Sequence, residues 1–270
     1  MRFLTHLAIL AVLLLCVVAC SDTGVQAGPR TTPSTVGPAQ SQYPARVVLF
    51  GDSLSGEAHP YYTRLMTAIG QNVLAFDSLG GTAICDWLPT MRRVEATVHP
   101  TAVELQFSGN ALTPCMKGLE PGTPAYYSKY RADTEAAIDI FIPSGAHVYL
   151  IGAPITRSEQ TDPNWHDTLN RQYAQIAYTD PVLVTYVDAG AAVETPSHAY
   201  AQTLPCLPVE PRIGPVVGGV PSNIVRSLDG THFCPVESAN RAGVVEACPS
   251  YSSGAFRYAV AMVVALVTST

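Results

Sequence analysis

Charged side chains are scarce in this sequence: Asp, Glu, Lys and Arg make up 13% of its 270 residues, about half the usual share for a soluble protein. With 47% hydrophobic residues beside so little charge, the chain has the apolar surface to build a core, which excludes a disordered polypeptide. Basic excess is absent as well. A net charge of -6 and a pI near 5.6 offer no positive field for a polyphosphate backbone, so nucleic acid is excluded as a partner. Cys-x-x-Cys and His-x-x-x-His spacings are missing, which removes the common zinc frameworks. No phosphate-cradling glycine loop, nucleotide signature or internal repeat is present, so neither a metal nor a cofactor is expected. Beyond the first twenty residues no apolar run is long enough to span a bilayer, Phe256 to Val267 included.

The N-terminus does carry an address. Arg2 precedes an apolar run from Phe3 to Ala19, the pattern of a secretory signal. The run ends Val17-Val18-Ala19-Cys20 and resembles the lipobox of bacterial lipoproteins, in which Cys20 becomes the lipid-bearing N-terminus. An ordinary signal peptide cut near Ala19 and an uncleaved anchor are the competing readings. In each case the folded part is outside the cytoplasm. Residues 21–45 are rich in Ser, Thr, Pro and Gly and read as a flexible tether. The expected organisation is therefore 1–19 signal, 20–44 lipidated Cys20 and linker, and 45–270 one catalytic domain, monomeric, with the lipid as its only membrane association. An oxidising compartment suits the remaining cysteines, Cys85, Cys115, Cys206, Cys234 and Cys248. Cys85 and Cys115 each lie beyond a strand end at one sheet edge, and are expected to pair. Connectivity among the other three stays open; Cys206 with Cys234 is the expectation, leaving Cys248 over.

The remaining chain is organised around Arg46 to Ser55. Val47 to Phe50 is a short apolar, β-branched run that stops at Gly51 and delivers Ser53 to the carboxyl end of a buried strand. Further strands are expected at Val73–Phe76, Val103–Phe107, His147–Ile151 and Val182–Val187. Helices are expected at Tyr61–Ile69, Arg92–Val98, Arg131–Phe141, from an Asn164 cap through Tyr178, and at Phe256–Val267. Alternation of this kind gives an α/β fold, a three-layer α/β/α sandwich on a mostly parallel five-stranded sheet. Residues 190–228 are rich in Pro and Gly without periodicity, and read as a long excursion.

Four stretches place small, chemically apt groups after strands or in the last loop: Gly51-Asp52-Ser53-Leu54, Gly80-Gly81, Gly109-Asn110 and Asp229-Gly230-Thr231-His232. Together, in order and spacing, they resemble the SGNH hydrolases, the GDSL-type esterases. The phrase Gln106 to Cys115 looks like extracellular actinobacterial members of that family. The sequence departs from the family at Ala111, where an Asp usually follows the Asn, and Gly80 competes with Gly81 in the second block. The resemblance implies a flavodoxin-like SGNH fold and an esterase acting on acyl, and notably acetyl, esters of glycans or lipids. A serine hydroxyl needs an adjacent base, and that base needs a carboxylate to orient it. The roles fall to Ser53, His232 and Asp229. The resemblance assigns the oxyanion donors to the Ser53 amide, the Gly81 amide and the Asn110 side chain.

Trp87 and Arg157 stand beyond strand ends as candidates to line the substrate site, the former as a face for a sugar ring. Glu57, His59 and Asp86 are weaker candidates of the same kind, while Asp52 and Asp188 read as loop-fixing residues. An α/β-hydrolase fits poorly, because its nucleophile elbow is Gly-x-Ser-x-Gly and Gly56 comes one place too late. An O-acyltransferase or deacetylase on envelope glycans is the alternative enzyme, and a surface binding module that kept the fold is the alternative from another class.

Overall fold

The computed structural model describes residues 45–162, 167–236 and 247–268. The signal run, Cys20, the tether and the Asn164 cap lie outside the described residues. Five strands, β1 (Arg46–Gly51), β2 (Asn72–Ser78), β3 (Ala102–Gln106), β4 (His147–Ile151) and β5 (Val184–Val187), form one parallel sheet in the order β2-β1-β3-β4-β5. Side chains alternate across it. Val47, Leu49, Tyr149 and Ile151 face one core with helices α1 (Ser53–Ala68) and α6 (Ser253–Thr268). Val48, Phe50, Val103, Leu105, Val148 and Leu150 face the other, with α2 (Ile84–Val98), α3 (Pro124–Phe141) and α5 (Thr168–Thr179). A short α4 (Arg157–Thr161) sits in the loop after β4. Strands buried on both faces read as continuous apolar runs because helices cover both sides, which is the α/β/α sandwich expected.

Helices start earlier than apolar periodicity suggests. Gly56 and Pro60 look like breakers, yet α1 begins at Ser53 because the Asp52 carboxylate caps it, accepting the Leu54 amide at 3.0 Å. Similarly, Asp86 accepts the Ala83 amide at 2.8 Å and starts α2 eight residues before Arg92, and Thr123 with Pro124 starts α3 before Arg131. The 190–228 excursion also contains strands too short to read from sequence. β6 (Thr203–Pro205), β7 (Val216–Val217) and β8 (Val220–Ile224) form an antiparallel sheet in the order β6-β8-β7. Among the described residues no helix is long and apolar enough to cross a membrane.

In this strand order the topology reverses between β1 and β3, where a crevice opens beyond the strand ends. Ser53 follows β1 and Asn110 follows β3. The Asp52 amide donates to the Gln106 carbonyl at 3.2 Å and ties these ends together.

Candidate active site

Gly51 allows that close approach. A Cβ there would lie 2.8 Å from the Gln106 carbonyl oxygen and 2.2 Å from Ser55 Oγ. With the strand ended so tightly, Ser53 is the first residue of α1 and is 9% exposed. Its hydroxyl sits at a helix N-terminus, where unpaired amides favour developing negative charge.

The partners of Ser53 come from a turn in the last loop. Gly230 has φ +80°, a left-handed conformation natural to glycine. Asp229 Oδ1 accepts the Thr231 amide at 2.7 Å and the His232 amide at 3.0 Å, while the Ser227 amide donates to the His232 carbonyl at 2.6 Å. The same carboxylate then reaches the ring: Asp229 Oδ2 lies 2.6 Å from His232 Nδ1, and His232 Nε2 lies 2.9 Å from Ser53 Oγ. A carboxylate can only accept here, so Nδ1 carries the proton and Nε2 presents its lone pair to the serine hydroxyl. Burial pushes the Asp229 carboxyl up, but the Thr231 amide, the His232 ring and the His232 amide outweigh it and hold the group well below the usual carboxylate range.

Asn110 is placed from below. Asp52 is fully buried, and its Oδ2 accepts the Ser108 amide at 2.7 Å, the Ser108 hydroxyl at 2.6 Å and Asn110 Nδ2 at 3.0 Å. Burial raises the Asp52 pKa, and the hydrogen bonds from Ser108 and Leu54 offset only part of that. The Tyr130 hydroxyl donates to the Asn110 carbonyl at 2.7 Å. One amide hydrogen of Asn110 is thus committed to Asp52, which orients the other. Of the two glycines after β2, Gly81 has φ +80° and Gly80 is not in the left-handed region; a Cβ on Gly81 would sit 3.3 Å from Leu112, itself 82% exposed.

A cavity of about 320 Å³ opens beside this group, bordered by Leu54, Ser108, Gly109, Asn110 and Thr231. The cavity wall also includes four carboxylates, Glu159, Asp167, Asp188 and Glu194, with His198 the one basic side chain among the described residues that line it. Glu194 accepts the Ile155 amide at 2.7 Å and Glu159 the Thr156 amide at 2.7 Å, so two of the four also shape the loop after β4. Sequence reasoning missed these carboxylates, apart from Asp188, because they come from two separate connections, the one after β4 and the one after β5. The Thr156-x-x-Glu159 capping box was the one local signal.

Neither residue expected to bind substrate lines that cavity. Trp87 packs on Phe50 at 6.1 Å between ring centres and donates its indole N–H to Thr82 at 2.9 Å, so its half-buried ring packs against the core. The Arg157 guanidinium donates to the Leu228 carbonyl at 3.0 Å, the Tyr200 hydroxyl at 3.0 Å and Gln202 at 3.3 Å, bracing two loops. His59 stacks on Phe76, and Asp86 receives Thr113 at 2.8 Å.

Cys85 and Cys115 form a disulfide, as expected from their strand-end positions. The expected Cys206–Cys234 bridge is corrected to Cys234–Cys248, leaving Cys206 free. Cys206 directly follows β6, where its amide donates to the Pro221 carbonyl across the small sheet, and this removes it from the loop that carries Cys234. Metal-ligand groups that converge among the described residues are Glu57–Cys234–Cys248 and Cys85–Asp86–Cys115, and in both the sulfurs are joined in disulfides.

No curated protein matches the chain. Among solved structures, a presumed acylhydrolase of Bacteroides fragilis is 12% identical, with 86% of this chain and 89% of that one covered at a TM-score of 0.51. That likeness establishes a shared fold. A GDSL-like lipase of Bacteroides thetaiotaomicron is 11% identical over 83% of this chain and 88% of its own, with a TM-score of 0.49. A catalytic mutant of the acetylxylan esterase Axe2 from Geobacillus stearothermophilus is 19% identical over 55% and 77%, with a TM-score of 0.43. The model of the family DUF459, described as a protein of unknown function, matches residues 46–235, where β1, the Ser53 helix, the Asn110 loop and the Asp229–His232 turn all lie, and the chain belongs to that family.

Proposed function

We propose that the protein is a serine ester hydrolase with Ser53 as nucleophile, His232 as base and Asp229 as its orienting carboxylate. The observation that carries this reading is the continuous relay from Asp229 Oδ2 to His232 Nδ1 at 2.6 Å and from His232 Nε2 to Ser53 Oγ at 2.9 Å. A fold shared with a presumed acylhydrolase is consistent with it. Ser53 Oγ attacks the ester carbonyl carbon while His232 Nε2 takes the hydroxyl proton, and the carbonyl electron pair moves to oxygen. The Ser53 amide, the Gly81 amide and the Asn110 side chain are the donors for that oxyanion. Collapse expels the alcohol, which leaves with the proton from His232, and an acyl group stays on Ser53. Water then attacks the acyl carbon, gives its proton to His232 and releases the acid with free Ser53.

The cavity beside Asn110 supports a short acyl group and a polar alcohol. Four carboxylates among its lining residues would be desolvated against a long alkyl chain without compensation, whereas hydroxyl groups can donate to them. The run before Cys20 supports a domain tethered outside the cytoplasm by a lipid, a setting that suits two disulfides.

Hydrolysis of acetyl, butyryl and octanoyl nitrophenyl esters by the native protein and by Ser53→Ala tests the reading. Turnover that falls with chain length and is lost in Ser53→Ala is expected; turnover unchanged in the variant removes Ser53 as the nucleophile. Fractionation of cells tests the tether, since Cys20→Ala is expected to move the protein out of the membrane fraction.

A further inference from the structure

Glu57 is a carboxylate that the relay does not use, and it is 2% exposed. Acidic side chains are almost never fully buried unless paired, because desolvating the charge is costly. No ion pair of Glu57 with Lys or Arg is present among the described residues. It stands four residues after Ser53 on α1, hence one turn along the same face. Its Oε2 accepts the Phe233 amide at 2.6 Å. Phe233 directly follows His232.

The nucleophile and the base are 179 residues apart in sequence. Among the described residues, the hydrogen bonds that join the first turns of α1 to the His232 loop are the Ser53–His232 contact and this clamp from Glu57. The reacting contact cannot be what fixes its own geometry, because the serine hydroxyl gives up its proton in every cycle. The Glu57 clamp persists throughout.

Charge gives Glu57 a second effect. It faces both His232 and Asp229 electrostatically. The other charged groups packed on this loop are Arg226, which donates to the Gly230 carbonyl at 3.3 Å and lies over the Phe233 ring, and Arg157, which holds the Leu228 carbonyl. Two cations, of which Arg226 is buried, therefore pack on the loop, and a carboxylate reaches it from the helix that bears Ser53. As His232 becomes imidazolium, that carboxylate is attractive and the guanidiniums are repulsive.

We propose that Glu57 is a positioning residue of the acyl-transfer site: its carboxylate anchors the amide after His232 to the helix that carries Ser53, and its charge favours the imidazolium formed on attack. This rests on the serine hydrolase reading. Burial raises the pKa of Glu57 above its ordinary value, and the Phe233 amide and His232 offset part of that rise, as for a buried carboxylate held by a backbone donor.

Glu57→Gln keeps an acceptor in the same position and removes the charge; Glu57→Ala removes both. With nitrophenyl acetate, Glu57→Ala is expected to lose about 10- to 100-fold in kcat, with KM changed less than about twofold, as for an interaction realised in the transition state. Glu57→Gln is expected to recover part of kcat and to move the acid limb of kcat/KM to lower pH. The His232 ring is also titrated by NMR in Ser53→Ala, with and without Glu57→Gln, a measurement that needs no turnover and no Glu57→Ala protein. A midpoint lower in Glu57→Gln supports the proposal. An unchanged midpoint together with native kcat overturns it and leaves the hydrolase reading intact. Absence of Ser53-dependent turnover in the native protein overturns that reading instead.

Discussion

Asp52 Oδ2 accepts the Asn110 side-chain amide at 3.0 Å from a fully buried position next to the serine. One carboxylate therefore caps the helix that presents Ser53, through Leu54, and aims the proposed oxyanion donor, through Asn110. Asp52→Asn keeps the size and places an amide opposite an amide. Losing one oxyanion donor costs about 10²–10³ in kcat, and Asp52→Asn is expected to lose a large part of that. Steady-state kinetics of Asp52→Asn, Asn110→Ala and the double variant check this. A double variant no slower than Asn110→Ala alone is expected, because both changes disable one donor; fully multiplicative losses would separate the two residues.

Asp229 is held well below the usual carboxylate range, with burial opposing and the Thr231 amide, the His232 ring and the His232 amide prevailing. A depressed carboxyl stays charged as pH falls through the mildly acidic range, so a loss of activity there is not expected to come from protonation of Asp229. Asp229→Asn is expected to lower kcat by about 10³–10⁴, since an amide at that position favours the wrong histidine tautomer. It also loses whatever stability the ionised carboxylate gives the turn, a contribution present above the ordinary Asp value and lost as pH falls through the depressed one. Kinetics and thermal unfolding of the variant between pH 4 and 8 read both effects.

The carboxylates of Glu159, Asp167, Asp188 and Glu194 in the cavity wall are expected to set the sign of the substrates it accepts. A hemisuccinyl nitrophenyl ester is expected to react at least about tenfold more slowly in kcat/KM than the butyryl ester, with the gap narrowing as salt screens the exposed part of the wall. Asp188 is exposed at the end of β5, so Asp188→Asn is the gentlest removal of one charge, and is expected to narrow the gap as well. Equal rates for both esters at low salt would place the acyl group away from this wall.

Much of this was legible in the sequence because the parallel strands are buried on both faces and so appear as plain apolar runs, as His147–Ile151 did to the residue. Helix starts were less legible: caps such as Asp52 and Asp86 act through one hydrogen bond and override Gly56, Pro60 and Pro89, which local propensity treats as breakers. Gly51, Gly230 and the Asp229–His232 interval could be read because backbone constraint and catalytic chemistry demand particular residue types there. Trp87 and Arg157 could not be placed, since a strand-end position fixes where a residue starts and not which way it turns. The Cys234–Cys248 pairing depended on the small β6-β8-β7 sheet, whose strands of two to five residues leave no periodicity to detect.

That pairing has a consequence for stability. Cys234 is two residues from His232 and its disulfide closes a loop with a sequence separation of 14, for which chain entropy gives about 3 kcal/mol. Cys248→Ala is expected to lower stability by about that much and to reduce kcat by freeing the His232 loop. Cys206→Ser, which breaks no bridge, is expected to leave both within error. Denaturant unfolding and mass mapping under non-reducing conditions check the two together; protection of Cys206 from alkylation by a bridge to Cys234 would restore the pairing expected from the sequence.

Glu104 sits in the middle of β3 with no exposure, and neither of its carboxyl oxygens has a hydrogen-bond partner among the described residues. Burial pushes its pKa up to about 8 from 4.5, the nearby Tyr62 hydroxyl offsetting only part of the effect. In the folded protein the group therefore keeps a proton that the unfolded chain releases above about pH 4.5. The unfolded state binds fewer protons throughout that window, so the contribution of Glu104 to stability is full below pH 4.5, falls as pH rises, and levels off above pH 8. At about 1.36 kcal/mol for each pKa unit the swing is on the order of 5 kcal/mol. Glu104→Gln has no proton to release and is expected to be more stable than the native protein at pH 8 and similar to it at pH 4.5. Urea unfolding of both proteins across that range decides the matter, and a stability difference that does not change with pH would show that Glu104 is ionised in the fold.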